Sequence, residues 1–130
     1  MTRILVIDDD EAVRRMVVRI LTYAKHEVFE AADGDEGIKQ FKAYSPALVV
    51  TDIIMPDKEG IEVIREIRAM APETRILAVS GGMAGGNTDY LDMTLKLGAD
   101  AVLPKPFRPA DLIKAVDRLI ETAGEFPSAA

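Results

Sequence analysis

Ala47-Leu48-Val49-Val50-Thr51-Asp52-Ile53-Ile54-Met55-Pro56 is the stretch whose reading decides the fold. Apolar and β-branched residues run without strict alternation into Thr51 and then meet one carboxylate, Asp52. Ile53 and Ile54 follow, and Met55-Pro56 breaks the chain. A short apolar run bounded by a breaker is the pattern of a strand buried on both faces of a parallel sheet. Open α/β sheets bind their ligands outside the C-terminal ends of the strands, so an acid at that lip stands where chemistry gathers.

The pattern recurs on both sides of this stretch. Ile4-Leu5-Val6-Ile7 runs into Asp8-Asp9-Asp10, and Glu27 to Ala31 is a short second strand. Arg75-Ile76-Leu77-Ala78-Val79 exits at Ser80, and Ala101-Val102-Leu103 leads into Pro104-Lys105-Pro106-Phe107. Helical spacing fills the intervals. From Glu11 onward, Val13, Met16, Val17, Ile20, Leu21 and Ala24 share one face. Acids open this helix and Lys25 closes it, in accord with the macrodipole. A second helix follows Ala32-Asp33-Gly34, carries Ile38, Phe41 and Lys42, and stops before Ser45-Pro46. Gly60 to Met70 is a third, with Ile61, Val63, Ile64 and Ile67 apolar. Tyr90 to Leu97 is a fourth with Gly98 as its C-cap, and a fifth runs from about Pro109, a first-turn proline, to Thr122.

Strand and helix alternate five times without an internal repeat. That predicts one doubly wound α/β domain with a five-stranded parallel sheet and helices on both faces. Residues 1–123 form the domain in this reading, and 124–130 a C-terminal tail or the start of a linker.

The 130 residues suffice for one core, and 48% hydrophobic with 29% charged residues is the balance of a soluble globular domain. The chain has no cysteine, which excludes disulfides, thiolate metal sites and thiol catalysis. A net charge of -6 argues against nucleic acid as a direct partner. No apolar stretch approaches the ~20 residues of a membrane span. Met1-Thr2-Arg3 passes straight into a strand with no room for a signal peptide, so the expected location is cytoplasmic.

Every strand exit except the second carries a group suited to phosphate or metal: Asp8 and Asp9, then Asp52, Ser80 and Lys105. Parallel strands present these ends at one edge, with neighbours ~4.8 Å apart. If the first and third strands are adjacent, their carboxylates converge within reach of one ion. Three carboxylates that close raise at least one pKa or demand a cation. Hard oxygen ligands with room for water and phosphate suit Mg²⁺.

From Arg3 to about Thr122 the chain resembles the receiver domains of response regulators in bacterial two-component signalling, in a form similar to the chemotaxis regulators. The resemblance rests on Val6-Ile7-Asp8-Asp9, on Thr51-Asp52-Ile53-Ile54-Met55-Pro56 with Gly60, on Ala78-Val79-Ser80, and on Gly98-Ala99-Asp100 leading to Lys105-Pro106-Phe107. It implies a flavodoxin-like strand order, 2-1-3-4-5, which supplies the required adjacency. It implies that Asp52 accepts a phosphoryl group from a phosphohistidine of a sensor histidine kinase or histidine phosphotransfer protein. Asp9, Asp52 and the backbone carbonyl of Ile54 would hold Mg²⁺ directly, with Asp8 acting largely through a bound water. Lys105 would supply a point charge to the phosphoryl oxygens and Ser80 a hydroxyl once Asp52 is modified. The family commonly has the lysine–proline bond cis, which sequence leaves open for Lys105-Pro106.

On this resemblance the expected function is a switch that presents a changed surface to a downstream protein. It is not a turnover enzyme, since it catalyses only its own phosphorylation and dephosphorylation. A monomer or a weak phosphorylation-linked dimer is expected. The alternative is a Mg²⁺-dependent phosphohydrolase with an aspartyl nucleophile, but Ile54 stands where a second acid is usual and no cap insertion exists. A flavin or nucleotide site on the same fold is opposed by Asp8-Asp9-Asp10, which would repel pyrophosphate. Asp10 is read as a helix-opening acid and His26 as a surface residue. The run from Gly81 to Asn87 is a mobile loop, since it lacks the lysine and serine or threonine of a P-loop. Val102 replaces an aromatic residue common in the family, so an output signal is expected to travel through the Gly81–Asn87 loop and the Tyr90 helix. Ile54 and Gly82 flank the path of an attacking water; the direction of their effect on phosphoryl lifetime stays open.

Overall fold

Leu48–Asp52 forms β3, the middle strand of a five-stranded sheet, in a computed structural model that describes residues 2–53, 60–80, 94–96 and 98–125 apart from the side chains of Ser80 and residues 122–125. The other strands are β1 (Arg3–Ile7), β2 (Glu27–Ala31), β4 (Arg75–Ser80) and β5 (Ala101–Pro104). Helices α1 (Glu11–Tyr23), α2 (Gly34–Tyr44), α3 (Gly60–Met70) and α4 (Pro109–Glu125) connect or follow them, and residues 94–96 are also helical. The sheet order is β2-β1-β3-β4-β5 and every pairing is parallel. β1 and β3 are therefore neighbours, in a register that sets Ile7 beside Thr51.

The continuous apolar runs of the sequence resolve into two cores, one on each face, because side chains alternate along a strand. Leu5, Ile7, Val49, Ile76 and Ala78 face α2 and α3, which contribute Phe41, Val63, Ile64 and Ile67. Ile4, Val6, Leu48, Val50, Leu77 and Val79 face α1 and α4, which contribute Val17, Leu21, Leu112, Val116 and Leu119. Each fully buried aliphatic side chain contributes roughly 1.5–3 kcal/mol, so the sheet is a firm platform for whatever its edge carries. Gly37 lets α2 approach β1 closely: a Cβ there would lie 2.5 Å from Cδ1 of Ile7.

Several helix details differ from the sequence reading. α1 ends at Tyr23, and Lys25 lies beyond it with φ 74°, so Lys25 does not close the last turn. That left-handed position is one a glycine fills without strain. Met16, expected on the apolar face, is 39% exposed, while Val18 packs against the core. His26 is half-buried rather than on the surface, and its Nδ1 is buried with no hydrogen-bond partner. α4 continues past Thr122 to Glu125, through residues assigned to the tail. Of the helix expected from Tyr90 to Leu97 only residues 94–96 are described, and the Gly81–Asn87 loop lies outside the described residues.

At the edge where the strands begin, Arg68 of α3 binds four partners. Its guanidinium donates to the carbonyls of Pro72 (2.7 Å), Thr74 (2.6 Å) and Gly98 (2.6 and 3.1 Å) and to Asp100 (2.9 Å). Asp100 accepts in turn from the backbone of Ile76. Gly98 has φ 125°, a backbone conformation that favours glycine, whereas a Cβ there would meet Arg68 only at ordinary contact distance. The Gly98-Ala99-Asp100 motif thus anchors the entry to β5, away from the edge where the strand exits converge.

Candidate phosphoacceptor and cation site

β1 and β3 deliver their carboxylates side by side. Asp8 follows directly on β1 and is 4% exposed; Asp52 ends β3 and is 8% exposed. Asp9 is exposed. One carboxylate oxygen from each of Asp8, Asp9 and Asp52 lies within 4.8 Å of the others, close enough for one ion. Oxygen-only donors of this kind fit a small hard cation better than a transition metal.

Lys105 arrives from β5, the outer strand, where Pro104 pairs with Ser80 and its missing N–H is tolerated at an edge. Its flexible stem carries the ammonium across the end of β4. Nζ lies 3.3 Å from Oδ2 of Asp8 and 3.6 Å from Oδ2 of Asp52. The Lys105-Pro106 bond is cis. Burial pushes the Asp8 carboxyl above its usual value of 3.8, opposed by a hydrogen bond from the Asp10 N–H and by the Lys105 ammonium, with Asp9 adding repulsion. Asp10 is the N-cap of α1, its side chain accepting from Ala12 N (3.0 Å) and Val13 N (3.2 Å).

The backbone beneath Asp52 is tightly enclosed. Its carbonyl accepts from the buried Thr51 hydroxyl at 3.0 Å. Gly60, at the start of α3, donates its N–H to the carbonyl of Ile53 at 2.7 Å. A Cβ on Gly60 would stand 2.0 Å from the Asp52 carbonyl oxygen and 2.6 Å from Cα of Ile53, so only glycine fits there.

Among the residues the sequence singles out, the structure brings Asp8, Asp9, Asp52 and Lys105 together. The backbone of Ser80 is at the exit of β4, on the same edge, while its hydroxyl lies outside the described set, as does Ile54 with its carbonyl. Arg14 and Glu30 escaped the sequence reading. Arg14 donates from Nη1 to the carbonyl of Asp8 at 3.0 Å and from Nε to Glu30 at 2.9 Å. The second strand, which offers no phosphate-binding group of its own, thus braces the exit of the first. The available signal was position: a side chain in the first turn of a helix points back toward its N-terminus.

Residues 4–117 match the sequence family described as the response regulator receiver domain. The chain is 34% identical over 118 residues to chemotaxis protein CheY of Thermotoga maritima, covering 90% of this chain and 96% of that protein. It is 36% identical over 118 residues to response regulator MprA of Mycolicibacterium vanbaalenii, covering 91% of this chain but 50% of that protein. Among solved structures, a CheY-like receiver domain protein from Methanospirillum hungatei superposes with a TM-score of 0.87 at 30% identity, covering 96% of this chain and 98% of that one. NtrX from Brucella abortus superposes with a TM-score of 0.92 at 29% identity, covering 98% of this chain and 29% of that one. No described helix is long and apolar enough to cross a membrane.

Proposed function

Because this chain belongs to the response regulator receiver domain family, we propose that Asp52 is its phosphoacceptor and that Asp8, Asp9 and Asp52 hold a magnesium ion. The observation that carries this is the convergence of three carboxylates within 4.8 Å of one another, with the Lys105 ammonium 3.6 Å from Asp52. The phosphodonor is a phosphohistidine of a sensor kinase or a phosphotransfer protein. A carboxylate oxygen of Asp52 attacks phosphorus, the P–N bond breaks, and the departing imidazole takes up a proton. The product is an acyl phosphate, and later attack by water returns the carboxylate and releases phosphate. The bound cation offsets the repulsion between an anionic nucleophile and an anionic phosphoryl group.

This chain's own residues have separable tasks. Asp8, oriented by the hydrogen bond it accepts from the Asp10 N–H, offers a buried carboxyl group to the cation. Lys105 exchanges part of its pairing with Asp8 and Asp52 for the incoming phosphoryl oxygens. The Ser80 hydroxyl donates to another of them. A new group of about −2 charge thereby reorders hydrogen bonds at the exits of β4 and β5 and alters the surface a downstream protein reads. The protein acts as a switch and not as a turnover enzyme.

Covalent labelling by a small phosphodonor such as acetyl phosphate tests this. Labelling is expected with Mg²⁺, to be suppressed by chelation, and to be abolished in Asp52→Asn, with mass spectrometry as the readout. Labelling that persists in Asp52→Asn moves the acceptor elsewhere, and sustained turnover of small phosphate esters favours the phosphohydrolase instead.

A further inference from the structure

Arg14 reaches behind the carboxylates to the main chain that carries two of them. Nη1 donates to the carbonyl of Asp8 at 3.0 Å, and Nε pairs with Glu30 of β2 at 2.9 Å. The Arg14 side chain is only 14% exposed. The N–H of Asp8 donates on its other side to the carbonyl of Ala31 at 3.1 Å. Both polar groups of the Asp8 backbone are thus held, one by the end of β2 and one by an arginine anchored to β2. The carbonyl in question belongs to the peptide unit that joins Asp8 to Asp9.

We infer that Arg14, braced by Glu30, is a positioning residue for the cation site. It fixes the Asp8–Asp9 peptide plane and with it the direction in which both carboxylates enter the cluster. The inference rests on the reading that these carboxylates hold a divalent ion. Groups that orient metal ligands matter to affinity although they never touch the ion, and their loss commonly weakens binding 10–100-fold. A planar guanidinium serves two acceptors at fixed angles, which a lysine ammonium on a flexible stem does not reproduce.

The molecule supplies its own control. Arg3, at the other end of the same strand pair, donates to Glu27 at 3.2 Å and to the carbonyl of Tyr44 at 3.1 Å. It is an arginine of the same kind, tied to a glutamate of β2 and to a carbonyl, but remote from the strand exits. Calorimetric titration of the full chain with Mg²⁺ alone, paired with urea unfolding in chelator, separates orientation from general stability. Arg14→Ala is expected to weaken Mg²⁺ binding about 10-fold or more, and Arg14→Lys and Glu30→Gln by a smaller factor. Arg3→Ala is expected to leave the affinity unchanged even where its urea midpoint falls as far. Should Arg14→Ala not fold, Glu30→Gln carries the comparison with an expected loss of about threefold. Wild-type affinity in the Arg14 and Glu30 variants, or an equal loss in Arg3→Ala, overturns the inference alone. A wild-type protein that binds no Mg²⁺ overturns the cation reading of the site together with it.

Discussion

Asp8 keeps its place in the cluster against the cost of burial, and that cost has a sign. Its carboxyl holds a proton to higher pH in the folded chain than in the unfolded one. The folded state therefore binds more protons above 3.8, so this contribution to stability is present below that value and lost as pH rises through the raised one. Replacing Asp8 by Asn removes the dependence. In metal-free buffer the stability difference between Asp8→Asn and wild type is expected to grow in the variant's favour as pH rises from 4 to 7, and added Mg²⁺ to reverse it; urea midpoints at each pH check both. Gly60 gives a second prediction at this scale. A methyl group there meets the Asp52 carbonyl, so Gly60→Ala is expected to cost about 1–3 kcal/mol and to slow acetyl phosphate labelling beyond what the stability loss explains. Gly37→Ala, whose Cβ meets the Ile7 side chain first and not the backbone at Asp52, is the comparison for labelling rate. The acids and the lysine were legible in the sequence because their chemistry is in their identity and their place after an apolar run. Arg14 was not, because an arginine beside Arg15 on a helix surface looks like any solvated charge until its direction is known.

The strands follow the sequence reading within a residue, since all but β2 are apolar runs with a charged, polar or breaking residue at or just past the end. Helix ends were less legible because their signals compete. Lys25 looks like a basic residue suited to a helix C-terminus, yet the chain turns there through φ 74°, which chirality disfavours for any side chain. Lys25→Gly is expected to raise stability by roughly 1 kcal/mol without altering Mg²⁺ affinity, measured by urea unfolding and calorimetry. Ser45, the C-cap of α2, also has positive φ, at 47°, and there the following Pro46 had marked the stop. At the end of α4, the sequence reading places Gly124 in the tail, but one glycine costs a helix only about 1 kcal/mol, which a packed amphipathic face outweighs. The Arg68 linkage joins three backbone segments that no local pattern connects, so only the folded arrangement shows what Asp100 does.

The adjacency of β1 and β3 is the property of the whole molecule on which the site depends. Local pattern predicts five parallel strands, but not their order; that came from resemblance, and the pairing of Ile7 with Thr51 confirms it. The lysine and the first carboxylate that it meets are 97 positions apart in the chain. Chemical competence at Asp52 is thus a property of the complete sheet. In a urea titration, initial labelling by acetyl phosphate is expected to vanish with the same midpoint as far-UV circular dichroism; a labelled population that outlasts the helical signal contradicts this. A ribosome releases this chain with its acids first and its lysine last. All three aspartates emerge while β5 is still unsynthesised, so on the proposed reading a nascent chain carries its acceptor before the lysine that completes the cluster exists.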